Sequence, residues 1–199
     1  MLFKFAAASP IWLDPAQVWS LSDPPIQFQR EKMTMTPLLA LTISIAVLGG
    51  VDTYLTATVL PIPVWVTFIA WASFFACGGT SAGFVKSVAS NWIGVIISSF
   101  CLLAIAAAPG SAAFAAVSVG LGSGAMILAS SHRALGFPPA IVFGFASTVG
   151  TVAATGSPIT DASITNPALT AAFYILVGAA FGFVSEKFAD VLATRRATA

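Results

Sequence analysis

The stretch Leu38–Leu60 reads LLALTISIAVLGGVDTYLTATVL, 23 residues with a single charge at Asp52. A hydrocarbon core of about 30 Å takes roughly 20 apolar residues to cross as a helix, so this block predicts a membrane span. Blocks of the same character come after it with little between them. The reading gives span two at Pro63–Gly78 and span three from about Ala89 to Ala108, closed by the breaker pair Pro109-Gly110. Span four is then Ser111–Ser131, span five Phe137–Thr155 and span six Asn166–Glu186. The blocks are continuous, whereas a spanning strand needs about ten residues of strict alternation. The expectation is an all-α integral membrane protein with six transmembrane helices over residues 37–187.

Composition agrees with that reading. The chain of 199 residues is 58% hydrophobic and 8% charged, with a mean hydropathy of +0.95. Soluble domains carry about a quarter charged residues, and so few charges cannot solvate a body this apolar. The net charge of +1 and the lack of a basic patch exclude a nucleic-acid surface. Cys77 and Cys101 lie within apolar runs and read as packing residues. No metal-ligand spacing is present, and no cofactor is expected.

Residues 1–36 differ from the rest of the chain. They carry Pro10, Pro15, Pro24 and Pro25 and the polar run Gln27–Lys32, and they read as a mobile or interfacial arm. Residues 188–199 read as a basic tail. With six spans, the Lys and Arg residues all fall on one side: Lys4, Arg30, Lys32, Lys86, Arg133, Lys187, Arg195 and Arg196. The positive-inside rule makes that side cytoplasmic, with both termini there.

Shifted by 74 residues, the sequence meets itself. Ile43-Ser44-Ile45 falls on Val117-Ser118-Val119, Gly50 on Gly124, and Trp71-Ala72-Ser73 on Phe145-Ala146-Ser147. One further inserted residue brings Asn91 onto Asn166. The halves 37–110 and 111–187 therefore read as repeats. Three helices per half is an odd number, so the second half is inverted relative to the first. Inverted repeats build channels and carriers, and glycine- or proline-broken spans at matching positions point to their substrate path. Here those ends are Gly78-Gly79 after span two and Thr155-Gly156-Ser157-Pro158 after span five.

This layout selects the candidate path residues. Asp52 is the acid well inside a span, which is a functional position by default; an early end of span one at Gly49-Gly50 would instead leave it at the interface. Asn91 and Asn166 are read as helix openers, a favoured N-cap type, whose symmetric placement also allows a lining role at positive helix ends. Trp71 and Phe145 could form aromatic constrictions or simply pack, with Ser73 and Ser147 beside them. Gly78, Gly79 and Thr155 complete the set. No acid, base and nucleophile converge, so an enzyme is not expected. The pairs Gly120/Gly124 and Gly178/Gly182 permit close helix packing, within a subunit or in a homo-oligomer.

The stretch Trp65-Val-Thr-Phe-Ile-Ala-Trp71-Ala-Ser-Phe-Phe-Ala-Cys-Gly78-Gly79, with Asn91-Trp92-Ile-Gly94, Pro139 and Phe143-Gly-Phe-Ala-Ser147-Thr, resembles the bacterial domain-of-unknown-function 1097 family. The resemblance covers about residues 37–187. It implies a small bacterial inner-membrane protein and supplies no catalytic residues.

Three functional readings are compatible with these residues. The first is a channel or facilitator for a neutral or weakly polar solute such as urea or an amide. The second is a proton- or cation-coupled carrier using Asp52. The third is a non-transporting membrane scaffold, which would be a dry, packed bundle.

Overall fold

A computed structural model describes residues 35–60 and 63–197, with side chains through residue 193. Every regular element among them is helical. α1 is Pro37–Thr58, α2 Trp65–Ala76, α3 Thr80–Ala107, α4 Ala112–Ser130, α5 Pro138–Thr155 and α6 Pro167–Ala197. The arm expected at residues 1–36 lies almost wholly outside the described residues, and residues 188–197 continue α6.

The helix ends have local causes. Thr36 accepts the Leu39 N–H at 3.2 Å, with Pro37 in the first turn, a favoured pairing of cap and proline. Ser111 accepts the Phe114 N–H in the same way, just after Gly110 at φ +82. α5 ends on Gly156, whose left-handed backbone returns its N–H to Val152.

Five of the six helices are long and apolar enough to cross a membrane. α2 is not: its 12 residues rise about 18 Å. The second span, expected over Pro63–Gly78, is thus a shorter helix, bracketed by Pro63-Val64 and by Gly78-Gly79. The third span also needs correction. α3 begins at Thr80 rather than near Ala89, immediately after the glycine turn, so Asn91 sits mid-helix and opens nothing.

Polarity runs inside out. Val47, Phe100, Leu121 and Leu128 are each more than half exposed, while Asp52, Ser73, Ser87, Asn91 and Ser147 are fully buried. In lipid, that is how polar groups are kept from hydrocarbon. α2 packs on α6 and α5 on α3; α1 lies against α6 and α4 against α3. The contacts are close because glycine permits them. A Cβ on Gly144 of α5 would strike the Asn91 backbone of α3, and one on Gly178 of α6 would strike the Thr67 backbone of α2.

Candidate functional site

Two buried polar groupings flank α2. On its α1 side, Asp52 lies in the fifth turn of α1 with no solvent exposure. The early end of α1 at Gly49-Gly50 does not occur, because the helix continues through both glycines to Thr58. Thr67 Oγ1 stands within hydrogen-bond distance of Asp52 Oδ2 and 2.7 Å from the Val64 carbonyl one turn earlier. Asp52 Oδ1 has no partner among the described residues. Thr56 donates to the Asp52 carbonyl at 2.8 Å. A cavity of about 160 Å³ opens beside them, lined by Thr53, Thr56, Ala57 and Val64.

On the α3 side, Ser73 Oγ accepts from the Ser87 hydroxyl and from Asn91 Nδ2, each at 2.8 Å. Asn91 Nδ2 also reaches the Ser87 carbonyl at 2.8 Å. Among the described residues its Oδ1 is unpartnered, as are the buried hydroxyls of Ser90 on α3 and Ser147 on α5. Buried polar atoms normally find partners, and at membrane depth the lack of one is costlier still.

The other sequence candidates take different places. Trp71 is a clamp between helices: its indole N–H donates to Ser185 Oγ at 3.0 Å and its ring stacks on Phe181 at 5.7 Å. Phe145 is half-buried on α5, its ring facing the Gly122 surface of α4. Asn166 does cap a helix, accepting the Ala168 N–H at 2.8 Å and donating to the Ile159 and Asp161 carbonyls. Asn91 and Asn166 therefore share no role.

Gly78 and Gly79 adopt φ +99 and +64, and Thr80 after them +59. Gly79 is buried against the Glu186 carboxylate, which accepts the Thr80 N–H at 3.0 and 3.2 Å. Thr155 is exposed, and its loop lies beside Thr170, Phe173 and Tyr174, near the start of α6. Glu186 is 13 residues beyond Phe173, about 20 Å along the helix. The two glycine-broken ends do not meet.

Sequence reading missed Thr67, Ser87, Ser90 and Glu186. Ser87, Ser90, Asn91 and Ser98 have helical spacing and mark a polar stripe once α3 is started at Thr80. Thr67 carries no signal until α2 is set against α1.

A family model described as a protein of unknown function, DUF1097, matches residues 42–190. The chain belongs to this family. No curated protein and no solved structure matches it. The DUF1097 match covers nearly all of the helical body, including both polar groupings.

Proposed function

We propose that this DUF1097 protein is a small-solute transporter of the bacterial inner membrane, with its polar seam along α2 and its termini in the cytoplasm. The observation that carries the reading is Asp52: a carboxyl fully buried in a span, with one oxygen unpartnered. An ionisable group is costly at that depth and functional by default. It favours coupling to a proton or small cation. The uncharged grouping of Ser73, Ser87 and Asn91 suits a neutral, hydrogen-bonding solute, and is the specific support for passive flux of a urea- or amide-like molecule.

An inverted repeat belongs to this reading, and paired contacts support it. Ser44 donates to the Ser185 carbonyl at 2.7 Å, and the Cys101 thiol donates to the Ser118 carbonyl at 3.3 Å. Gly178 meets Thr67, and Gly94 meets Ile141. Ser118 and Ile141 lie 74 residues after Ser44 and Thr67; Ser185 and Gly178 lie 84 residues after Cys101 and Gly94. The ten extra residues enter with the longer α5–α6 connection. In that register Asn91 corresponds to Ile175 rather than Asn166. Asp52 corresponds to Met126 and Thr67 to Ile141, so the halves share packing but not polarity. A homo-oligomer through α4, whose Gly120 and Gly124 have open space above them, completes the proposal.

The test is reconstitution into liposomes, with an internal pH dye and labelled urea and formamide. Uptake driven by a pH gradient and lost in Asp52→Asn supports coupling. Amide flux indifferent to the gradient and to Asp52→Asn returns the reading to a facilitator. Folded protein that moves none of these probes would defeat both.

A further inference from the structure

The Thr67 hydroxyl has one proton and two oxygen neighbours placed to accept it, Asp52 Oδ2 and the Val64 carbonyl. A hydroxyl donates once. With an ionised carboxylate, one of the two contacts is acceptor against acceptor. With a proton on Asp52 Oδ2, the chain closes: the carboxyl O–H donates to Thr67 Oγ1, and the Thr67 O–H donates to the Val64 carbonyl.

We infer that Asp52 and Thr67 form a proton-binding switch, protonated in the arrangement described, in which loss of the Asp52 proton turns the Thr67 hydroxyl from the Val64 carbonyl to the carboxylate. Its purpose rests on the transport reading, though its geometry does not. The balance is simple. The carboxyl O–H bond breaks and the proton leaves to water. The Thr67 hydroxyl rotates without breaking its own bond, and the Val64 carbonyl loses a donor. That carbonyl belongs to the residue that starts α2, and it keeps the Phe68 N–H at 3.3 Å. Protonation is thereby tied to how the first turn of α2 is held against α1.

A small cavity lies alongside. The cavity lined by Thr53, Thr56, Ala57 and Val64 adjoins both the Val64 carbonyl and the last turns of α1. Its about 160 Å³ exceeds what one water needs, and its walls supply two threonine hydroxyls.

Among the described residues, the neighbouring elements present no cation to hold a carboxylate. α1 has only Tyr54 besides Asp52, and that ring is 68% exposed. α2 carries no titratable side chain between Trp65 and Ala76, and Cys77 with Lys86 of α3 lies beyond its other end. α5 has no titratable group. On α6, Tyr174 packs into the Val66, Ala70 and Val95 cluster, Glu186 is on the Thr80 N–H, and Lys187 pairs with Glu186 and Asp190.

The experiment is infrared spectroscopy of the full chain in lipid vesicles, reading the carboxyl C=O stretch between acidic and alkaline buffer. A protonated carboxyl absorbs apart from carboxylate and amide bands. The expected result is a carboxyl band in the wild-type minus Asp52→Asn difference spectrum, which cancels the chain's other six Asp and Glu carboxyls, and this band gives way to carboxylate as pH rises. In Thr67→Val the band should persist but move to higher frequency, because the carboxyl O–H has lost its acceptor. Asp52→Glu, which should keep a titrating band, serves if Asp52→Asn does not fold by circular dichroism. No carboxyl band in that difference spectrum, or an unmoved band in Thr67→Val, would overturn the inference. Loss of the band on adding sodium at fixed pH would also overturn it, assigning the site to a metal cation. A band without flux leaves the switch standing and removes the transport reading; proton-driven flux without a band does the reverse.

Discussion

Asn91 and Gly144 touch through their backbones: the Asn91 carbonyl of α3 occupies the space that a side chain at Gly144 of α5 would need. The contact joins α3 and α5, which pack on one another more extensively than any other two described helices. Gly144→Ala must push them apart, at a cost of about 1–3 kcal/mol for overpacking. Gly50→Ala on α1, with nothing within 4 Å, should cost no stability, and the better helix propensity of alanine should raise it slightly. Thermal unfolding of the two variants in the same detergent compares them directly, and equal midpoints would mean that α3 and α5 are not packed this way.

The Ser73–Asn91 contact should show as coupling. In a double-mutant cycle of Ser73→Ala and Asn91→Leu, the interaction term should be about 0.6 kcal/mol, the size found for hydrogen bonds between helices in membranes. A term indistinguishable from zero would argue that the two side chains do not meet. Because Asn91 Oδ1 has no partner, Asn91→Leu alone should cost little.

Gly79 is held at φ +64 against Glu186. Gly79→Ala should destabilise the protein by about 1–2 kcal/mol through backbone strain and contact with the carboxylate. Glu186→Gln should cost less, about 0.5 kcal/mol, because the amide oxygen still accepts the Thr80 N–H while the favourable charge at the α3 N-terminus is lost. Chemical denaturation of both variants checks the order, and a larger loss in Glu186→Gln would reverse the argument.

Asp161 gives a pH dependence outside the membrane. The Ser163 hydroxyl and N–H, with the Thr165 hydroxyl, donate to its carboxylate and hold its pKa below the usual value. A carboxylate depressed in this way adds stability that is present above its unfolded pKa and lost as pH falls through the folded one. The α5–α6 connection should therefore loosen only below about pH 4. Exchange of the Ser163 amide, monitored by mass spectrometry, should quicken there in the wild type. In Asp161→Asn it should be fast at every pH.

Much of the body is legible from residues because hydrocarbon imposes a simple demand. Leu38–Leu60 and Ser111–Ser131 are legible as helices from length and apolarity, and Asn166 from its capping chemistry; the cap at Ser111 goes unread. A start for α3 near Ala89 comes too late because Thr80–Val88 mixes Thr, Ser and Lys with apolar residues and so looks like a loop. Its inward face is what takes those polar groups. Asn91 misleads for the same reason, since a mid-helix asparagine is explained only by Ser73 across the interface. The pairing of Asp52 with Thr67 lies beyond reach: it depends on how α1 and α2 face each other, which no spacing within either helix encodes.

α3 and α6 run 28 and 31 residues, whereas α4 and α5 run 19 and 18. The short pair just fills a hydrocarbon core of about 30 Å, and the long pair exceeds it by more than about 10 Å. The excess is polar: α3 opens with Thr80, Ser81 and Lys86, and α6 runs on through Glu186, Lys187 and Asp190. Ends of that kind suit the headgroup layer, so the longer helices outrun the hydrocarbon without a mismatch to relieve.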